Sequence, residues 1–431
     1  MNGLLTDLYE LTMAAGYFAS GRHHDVGTFE FTIRRLPRNR DFVLVAGIHR
    51  AVEYLLKLSF TAAEISYLRG LESFRHAPEG FWDYLANFRF TGDVFAVPEG
   101  TVLFAGQPVL NVRAPLIEGQ IPETYLLSAI TFETLIASKA ARIAHAAAGR
   151  DVIEFGTRRA HTPEAGVLGA RAAYIGGCAG TSNALAGFEY GIPVMGTAAH
   201  SWVMSFETET EAFRELQHLL GSQTVQLIDT YDPIEGARTA AKMGGPLWGV
   251  RLDSGDLKGL SRDVRRILDA AGMRSAKIMA SGDLDEITIA ELVSAGAPID
   301  AFGVGTELAT SGDAPHMGAI YKLVEINHGG ETRYTAKQSA AKRTLPGGKQ
   351  LFRYPEYDLL ALHDECAAGS EALLKPLIIG GRLIAPLPSV AEIRKRAAQS
   401  LIPWPSPDRQ TQHSLQLAKL DEQLRGVHIP A

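Results

Sequence analysis

A histidine among small residues, in Gly196-Thr-Ala-Ala-His200-Ser, is the first group of this sequence with the setting of a reactive side chain. It follows a short apolar run, so the backbone around it can approach a ligand closely. Asp229 and Asp232 close the next apolar run. A carboxylate from a neighbouring strand can orient an imidazole as a nucleophile or general base. We predict a catalytic role for His200; the alternative is a structural histidine bonded to a carbonyl group.

Paired guanidinium groups and an aromatic ring follow another apolar run, in Glu154-Phe155-Gly-Thr-Arg158-Arg159. Arginine is always charged and binds phosphate or carboxylate groups through two parallel hydrogen bonds. The alternative is an ordinary surface pair of arginines. The position directly after a strand that ends in glycine favours a binding role.

One cation and two carboxylates end a third apolar run, in Val250-Arg251-Leu-Asp253-Ser254-Gly-Asp256. Mg²⁺ prefers one or two carboxylates together with oxygens of a bound phosphate, so Asp253 is a candidate magnesium ligand. The alternative is that Asp253 or Ser254 caps the following helix. The two roles use different atoms and are compatible.

Two glycine-containing loops, Ser281-Gly282-Asp and Gly303-Val-Gly305-Thr306, follow two further apolar runs that are consecutive in the chain. Glycine lets backbone N–H groups face an anion at the start of a helix. An ordinary tight turn also prefers glycine, but two such loops at consecutive strand ends favour phosphate binding.

The elements that position these motifs alternate between strands and helices. Apolar runs of strand type occur at residues 152–155, 194–195, 225–228, 247–252, 278–280, 299–302 and 320–326. Helical patterns, such as 261–271 and 285–295, lie between them. This alternation predicts parallel βαβ units, whose carboxyl ends collect the polar motifs. An open doubly wound sheet remains an alternative, but about seven strands of one rhythm favour an α/β barrel.

The distribution of helical and strand-type patterns along the chain predicts three segments. Residues 1–118 form an α+β part with antiparallel strands, residues 119–328 the α/β barrel, and residues 329–431 a mixed C-terminal part.

The composition excludes several classes of protein. The 431 residues include 42 Lys or Arg and 48 Asp or Glu, for a formal net charge of −6, so no basic excess favours nucleic acid. An apolar content of 46% excludes disorder. Two cysteines, Cys178 and Cys366, exclude a disulfide framework. No apolar run approaches the ~18 residues of a membrane span. Residues 1–20 are not typical of a signal peptide. We expect a cytoplasmic enzyme.

Several of these motifs, in the same order, resemble those of nicotinate phosphoribosyltransferases. The resemblance extends over nearly the whole chain, and its most specific part is the opening segment Leu4-Leu-Thr-Asp-Leu-Tyr9-Glu-Leu-Thr-Met13. The other matching segments are Glu154–Ala160, Gly180–Asn183, Gly196–Ser201, Val250–Asp256 and Leu345–Gln350.

The resemblance implies an irregular α/β barrel with an outer domain built from both chain ends, and a homodimer with shared active sites. It also implies an activity. Members of the family convert nicotinate and phosphoribosyl pyrophosphate (PRPP) into nicotinate mononucleotide and pyrophosphate, coupled to ATP hydrolysis with Mg²⁺.

Residue by residue, His200 is similar in position to a histidine that ATP phosphorylates, and Asp232 to a carboxylate near it. The resemblance further implies nicotinate-binding roles for Tyr9, which is expected to reach across the dimer, Thr197 and Arg251. It implies ring stacking for Phe155, a phosphoribosyl contact for Arg158, and a 5′-phosphate loop at Gly305 and Thr306.

Three other functions are alternatives to this one. Nicotinamide phosphoribosyltransferases share the barrel and the histidine, but the loop 176–183 contains no Asp or Glu to accept from an amide. A Schiff-base lyase needs a strand-end lysine, which the strand-end motifs lack. A non-catalytic scaffold needs none of His200, Asp232, Arg251 and Asp253.

Overall fold

The structure is a computed structural model that describes residues 3–339 and 342–426. It contains two compact units. The first comprises residues 1–135, 316–388 and 395–431, and the second comprises residues 136–315 and 389–394. Compactness alone does not define domains, so the predicted limits at residues 118 and 328 stay predictions.

The strands of the described residues are numbered in chain order. They are β1 (Val26–Arg35), β2 (Val43–Leu44), β3 (Asp93–Ala96), β4 (Val102–Leu103), β5 (Pro108–Pro115), β6 (Asp151–Glu154), β7 (Gly180–Thr181), β8 (Val225–Leu227), β9 (Gly249–Leu252), β10 (Lys277–Ala280), β11 (Ala301–Val304), β12 (Gly318–His328), β13 (Glu331–Tyr334), β14 (Lys349–Arg353), β15 (Tyr357–Leu362), β16 (Glu371–Ala372), β17 (Lys375–Ile379), β18 (Arg382–Leu383) and β19 (Gln410–His413).

The α-helices are numbered in the same way. They are α1 (Leu8–Ala19), α2 (Ile48–Lys57), α3 (Ala62–Arg69), α4 (Glu79–Ala86), α5 (Leu116–Gln120), α6 (Glu123–Ala146), α7 (Pro163–Ile175), α8 (Ala184–Tyr190), α9 (His200–Met204), α10 (Glu209–Leu220), α11 (Pro233–Met243), α12 (Leu257–Ala270), α13 (Glu286–Ser294), α14 (Thr306–Ala309), α15 (Val390–Ser400) and α16 (Leu415–Gly426). Among the described residues, no helix is long and apolar enough to cross a membrane.

The first unit is built around an antiparallel sheet, in the order β13-β12-β1-β5-β3-β17-β18. Strand β1 lies in the interior of the sheet, between β12 and β5, and the side chains of Phe29, Phe31 and Ile33 are fully buried in the core of this unit. The antiparallel part predicted for the N-terminal segment is therefore confirmed.

One predicted strand belongs to a different sheet from the one expected. The apolar run 320–326 was grouped with the parallel strands, but it forms part of β12, which pairs antiparallel with β1 from Val26 to Arg35. That assignment was wrong because an apolar run indicates a strand but does not identify its partner.

The second unit contains a parallel sheet in the order β7-β6-β11-β10-β9-β8. Helices α7 to α13 lie between its strands in the sequence, so the predicted mixed α/β architecture is confirmed. Val194 extends the sheet by one parallel bridge to Thr181 on the edge strand β7. The loops that follow the strands carry the motifs predicted to be functional.

The loops that follow the two edges of this parallel sheet contact each other at its carboxyl end. His200 follows Val194 at one edge, Thr230 follows β8 at the other edge, and His200 Nδ1 lies 3.2 Å from Thr230 Oγ1. No backbone ladder among the described residues joins β8 to Val194. A side-chain contact thus joins the loops that follow the two edges, and closure of the sheet into a barrel stays a prediction.

Local sequence signals explain where the helices of the second unit begin. Asp232, Asp256 and Asp285 each accept a backbone N–H from the first turn of α11, α12 and α13. In α12, Val264 and Leu268 are one turn apart and fully buried against the sheet. Capping therefore sets each helix start just after a strand-end loop, which keeps those loops short.

The first unit also buries a carboxyl group, on Glu10 of α1. Its side chain is fully buried; Oε2 accepts from Gln120 Nε2, and Oε1 has no hydrogen-bond partner among the described residues. Gln120 also donates to Glu123, whose other oxygen binds Lys322 at 3.0 Å. Burial, with the nearby carboxylate of Glu123, raises the pKa of Glu10 to about 7.

We predict that Glu10→Gln removes a pH dependence of stability. The folded state holds the Glu10 proton more tightly than the unfolded state, so this group's contribution falls as pH rises from about 4.5 to about 7. Above pH 7 the variant should exceed the wild type by about 3 kcal/mol in the free energy of unfolding. Denaturant titrations at pH 5 and pH 8 measure this, with the exposed Glu331→Gln as control. Parallel pH profiles for wild type and E10Q would contradict it.

Candidate active site

A cavity of about 480 Å³ opens in the second unit at the carboxyl ends of β6, β8 and β9. Its volume lies in the range usual for small-molecule sites. The lining residues come from five strand-end loops: Phe155, Thr157, Arg158, Ser182, Val194, Met195, Gly196, Thr197, Ala198, Ala199, His200, Leu227, Arg251 and Asp253. Six of the residues predicted from the sequence are among them.

Arg251 is the most highly connected side chain of the cavity. Its Nε donates to Ser281 Oγ at 2.7 Å, its Nη1 to Thr197 Oγ1 at 2.7 Å, and its Nη2 to Asp253 Oδ1 at 2.6 Å. Its guanidinium carbon lies 5.5 Å from the centre of the Phe155 ring. A guanidinium has five N–H donors, so two remain for a ligand. The group is fixed in place before any ligand arrives.

Asp253 is held as a carboxylate beside this guanidinium. Burial opposes its charge, but hydrogen bonds from Ser281 and the charge of Arg251 outweigh that effect and keep the pKa of Asp253 below its usual value. Its backbone N–H donates to Asp229 Oδ2 at 2.7 Å. The helix cap considered as an alternative is absent here, because Asp256 caps α12 instead.

His200 lies at the start of α9 with 41% of its side chain exposed, so a ligand can reach it. Nδ1 contacts Thr230, and Nε2 lies 3.6 Å from Asp253 Oδ2. Two polar groups thus flank the ring, which is the arrangement that orients an imidazole for nucleophilic chemistry.

Phe155 forms one wall of the cavity because a glycine leaves room for its ring. A Cβ atom on Gly303 would lie 2.5 Å from two ring carbons of Phe155. This glycine, which lies in β11, therefore makes room for the ring. The backbone of Gly305 follows, and it precedes the short helix α14, which begins at Thr306.

Gly282 brings two strand-end loops into contact. Its φ is +89°, and a Cβ atom there would lie 1.9 Å from the carbonyl oxygen of Asp253. Ser281, the residue before it, is buried and bonds both Arg251 and Asp253. Ser281 therefore acts on the cavity through its hydroxyl group.

Six predicted site residues do not line the cavity. Ser281 bonds Arg251 and Asp253, Gly282 approaches the backbone of Asp253, and Gly305 and Thr306 come directly after β11. The other two are Asp232 and Tyr9. Asp232 accepts from the N–H groups of Ile234 and Glu235, and no hydrogen bond or ion pair joins it to His200. The sequence signal was present, since an Asp directly before Pro233 is typical of a helix cap. Tyr9 lies on α1 in the first unit and is half-exposed.

Thr230 makes the contact with His200 that was expected of Asp232, and Asp229 contacts the loop that contains Asp253. Asp229 accepts from Asp253 N and Ser254 Oγ, while its Oδ1 is buried without a partner among the described residues. Both residues follow β8 directly. The sequence signal that could have identified them is their position directly after the strand, because side chains farther along the loop lie farther from the sheet.

The comparison with known proteins identifies the family. The model of the nicotinate phosphoribosyltransferase N-terminal domain matches residues 4–131, and that of the nicotinate phosphoribosyltransferase family matches residues 151–358. The chain therefore belongs to the nicotinate phosphoribosyltransferase family, and the resemblance predicted from the sequence is confirmed.

Individual relatives cover most of the chain. A nicotinate phosphoribosyltransferase of Mycobacterium tuberculosis is 44% identical over 395 residues, which are 89% of this chain and 83% of that protein. Another, from Bacillus subtilis, is 42% identical over 378 residues, covering 84% of this chain and 76% of that protein. The crystal structure of human nicotinic acid phosphoribosyltransferase matches with a TM-score of 0.85 at 29% identity, covering 98% of this chain and all 100% of that one.

We predict that Gly282→Ala destabilises the protein far more than Gly272→Ala. Both glycines have positive φ, +89° and +79°, but a Cβ atom meets nothing within 4 Å at Gly272 and a carbonyl oxygen at Gly282. Strain alone costs about 1–2 kcal/mol, and displacing the Asp253 backbone adds about 2 kcal/mol or more. Denaturant unfolding of both variants measures the difference. Equal losses would show that the close approach at Gly282 is not required.

Proposed function

We propose that this protein is a nicotinate phosphoribosyltransferase. It transfers the phosphoribosyl group of PRPP to nicotinate, giving nicotinate mononucleotide and pyrophosphate, with ATP as cosubstrate. Family membership supports the reaction class. The observation that carries the proposal is the fixed guanidinium of Arg251 above the ring of Phe155.

The geometry around Arg251 suits an aromatic acid. Nicotinate is a flat ring with a carboxylate, and the cavity offers a flat ring in Phe155 beside a guanidinium with two unused donors. Charge-assisted hydrogen bonds to a carboxylate contribute about 1.5–3 kcal/mol each. Thr197, bonded to the same guanidinium, adds a hydroxyl group at the same place.

The charges of the lining residues favour the acid over its amide. The charged residues of the lining are two cations, Arg158 and Arg251, and one carboxylate, Asp253, which already accepts from Arg251 and Ser281. An amide N–H₂ group would therefore face donors. Replacing the carboxylate of nicotinate by an amide leaves a donor unpaired, which makes nicotinamide a poor substrate.

The reaction needs positioning and charge stabilisation more than a base. The pyridine nitrogen carries no proton at neutral pH, so it can attack ribose C1 directly. Catalysis then depends on orienting the substrates and stabilising the charge that develops as pyrophosphate leaves. We assign phosphate contacts to Arg158, to the Ser281-Gly282 loop and to the Gly305-Thr306 loop.

The carboxylates beside the cavity fit a magnesium ion. Mg²⁺ needs one or two carboxylates, with the rest of its ligands from water and substrate phosphates. Asp253 is a carboxylate in the lining, and the buried, unpartnered Oδ1 of Asp229 is an oxygen suited to a hard cation. These two residues would hold the ion, which would neutralise pyrophosphate charge when bound.

His200 is the proposed site of phosphorylation by ATP. A phosphoryl group there adds about −1.5 to −2 charges beside the pyrophosphate site. Thr230 and Asp253 are its partners in this structure. We therefore assign to Thr230, Asp253 and Asp229 the catalytic role that was predicted for Asp232.

Tyr9 and the dimer remain part of the proposal. Tyr9 is half-exposed on α1, and we propose that it completes the site of a second subunit in a cytoplasmic homodimer. The support is the match of the family's N-terminal model over the segment that contains Tyr9.

Substrate choice tests the function. With PRPP, Mg²⁺ and ATP, the wild type should use nicotinate with a kcat/KM about 10²-fold or more above that for nicotinamide. Arg251→Lys keeps a charge but loses the planar fork, so it should lower kcat/KM for nicotinate about 10²-fold. Product formation is measured chromatographically, with the exposed Arg214→Lys as control. Comparable use of both pyridines by the wild type would overturn the assignment.

The coupling to ATP is tested at His200. His200→Ala should abolish ATP hydrolysis and acid-labile phosphate on the protein, and should leave a slow phosphoribosyl transfer that ATP does not stimulate. The phosphate is measured with labelled ATP before and after acid treatment. The control is His218→Ala, on an exposed face of α10. Undiminished labelling of H200A would place the phosphoryl group elsewhere.

A further inference from the structure

A buried carboxylate lies beneath the cavity wall and takes no part in the proposed chemistry. Glu154, the last residue of β6, is only 2% exposed. One of its oxygens accepts the backbone N–H of Gly156, and the other accepts Thr181 Oγ1 at 2.5 Å. Burial raises the pKa of this carboxyl group above its usual value. No ion pair with a cation accompanies it among the described residues.

The hydrogen bonds continue from Thr181 to the next loop. Thr181 Oγ1 accepts the backbone N–H of Asn183 at 2.9 Å, and Asn183 Nδ2 donates to Thr157 Oγ1 at 3.1 Å. Asn183 also caps α8 by accepting from Ala186 N. This set of four side chains, Glu154, Thr181, Asn183 and Thr157, is called the β6–β7 network below. It ties the loop after β6 to the loop after β7.

Two residues of the network, Glu154 and Thr181, are each followed in the sequence by a residue of the cavity wall. Phe155 lies between Glu154 and Gly156, and Ser182 lies between Thr181 and Asn183; both side chains line the cavity. Main-chain hydrogen bonds repeat the pattern, since Ser182 N donates to the carbonyl of Glu154 at 2.9 Å. A shift of the network must therefore move two wall residues together.

We propose that Glu154 is a positioning residue that sets the spacing of Phe155 and Ser182 for the pyridine ring. The inference rests on the proposed function for its substrate, but the network itself is independent of the reaction. Glu154 acts through the Gly156 turn and through Thr181, and it contacts no substrate atom. What it contributes is a pair of hydrogen bonds, one to the Gly156 N–H and one to the Thr181 hydroxyl group, so its charge is dispensable.

The free-energy cost of burying the Glu154 carboxylate indicates that this residue does more than stabilise the fold. A buried carboxylate without a cation is unfavourable, because burial penalises its charge. Its two hydrogen bonds hold two loops in one geometry, and small displacements of substrate-positioning groups are costly to an enzyme.

The test compares two buried threonines of the second unit. Thr181→Val keeps the side-chain shape but removes the hydroxyl group from the network. Thr224→Val is the matched control, because Thr224 is also fully buried and donates to Gly221 O at 2.7 Å, but does not line this cavity. We expect T181V to raise the KM for nicotinate about tenfold with kcat changed less than about threefold, whereas T224V lowers only the melting temperature.

A conservative variant separates position from charge. In Glu154→Gln the amide oxygen still accepts from Gly156, and the amide N–H₂ donates to Thr181, which has room for two donors. We expect a KM for nicotinate within about threefold of the wild type. A rise in E154Q as large as that in T181V would show that charge matters, and would overturn the proposal. Unchanged KM in T181V would overturn it as well.

Hydrogen exchange makes the inference testable apart from the activity. The amide of Gly156 is bonded to Glu154 in the network. T181V should therefore speed exchange at Gly156, and T224V should not. If the wild type does not use nicotinate, the proposed function fails, but faster exchange at Gly156 in T181V would still support the positioning role. Unchanged exchange there would overturn that role whatever the substrate.

Discussion

The structure of the site depends on one immobilised guanidinium. Arg251, at the end of β9, bonds to the loop after Val194 through Thr197, to the loop after β10 through Ser281, and to Asp253 in its own loop. Its contact with Phe155 adds the loop after β6. A single side chain thus connects four strand-end loops. A positive charge held rigidly in a partly buried place recognises an anion without the entropy cost of ordering it first.

The rest of the second unit can be understood as support for that charge. Parallel strands bring their carboxyl ends together, and Asp caps start the following helices directly after the loops. Gly282 permits the approach of two loops that any side chain would separate. Beneath the wall, the β6–β7 network joins the loop after β6 to the loop after β7 through buried hydrogen bonds. Rigidity comes from these contacts between loops as much as from the sheet.

The sequence allowed much of this to be predicted, and the limits have physical causes. Strand-end motifs identified Phe155, Arg158, Thr197, His200, Arg251 and Asp253, which do line one cavity, because apolar runs reveal strands and parallel strands align their ends. The prediction from the sequence named Asp232 rather than Asp229, because a resemblance identifies a motif more reliably than it identifies the functional residue within that motif. The partner of β12 was missed since strand pairing depends on the whole fold. The network under the wall was invisible, because Glu154 and Thr181 meet only in three dimensions.

The most direct test of this account is a crystal structure of the protein with nicotinate bound. The account predicts that the carboxylate of nicotinate lies about 3 Å from the guanidinium nitrogens of Arg251, with the pyridine ring against Phe155. Its nitrogen should point toward the space between Arg158 and Asp253. A ligand whose carboxylate binds elsewhere, with the contacts of Arg251 to Thr197, Ser281 and Asp253 intact and its remaining donors unused, would contradict the central claim.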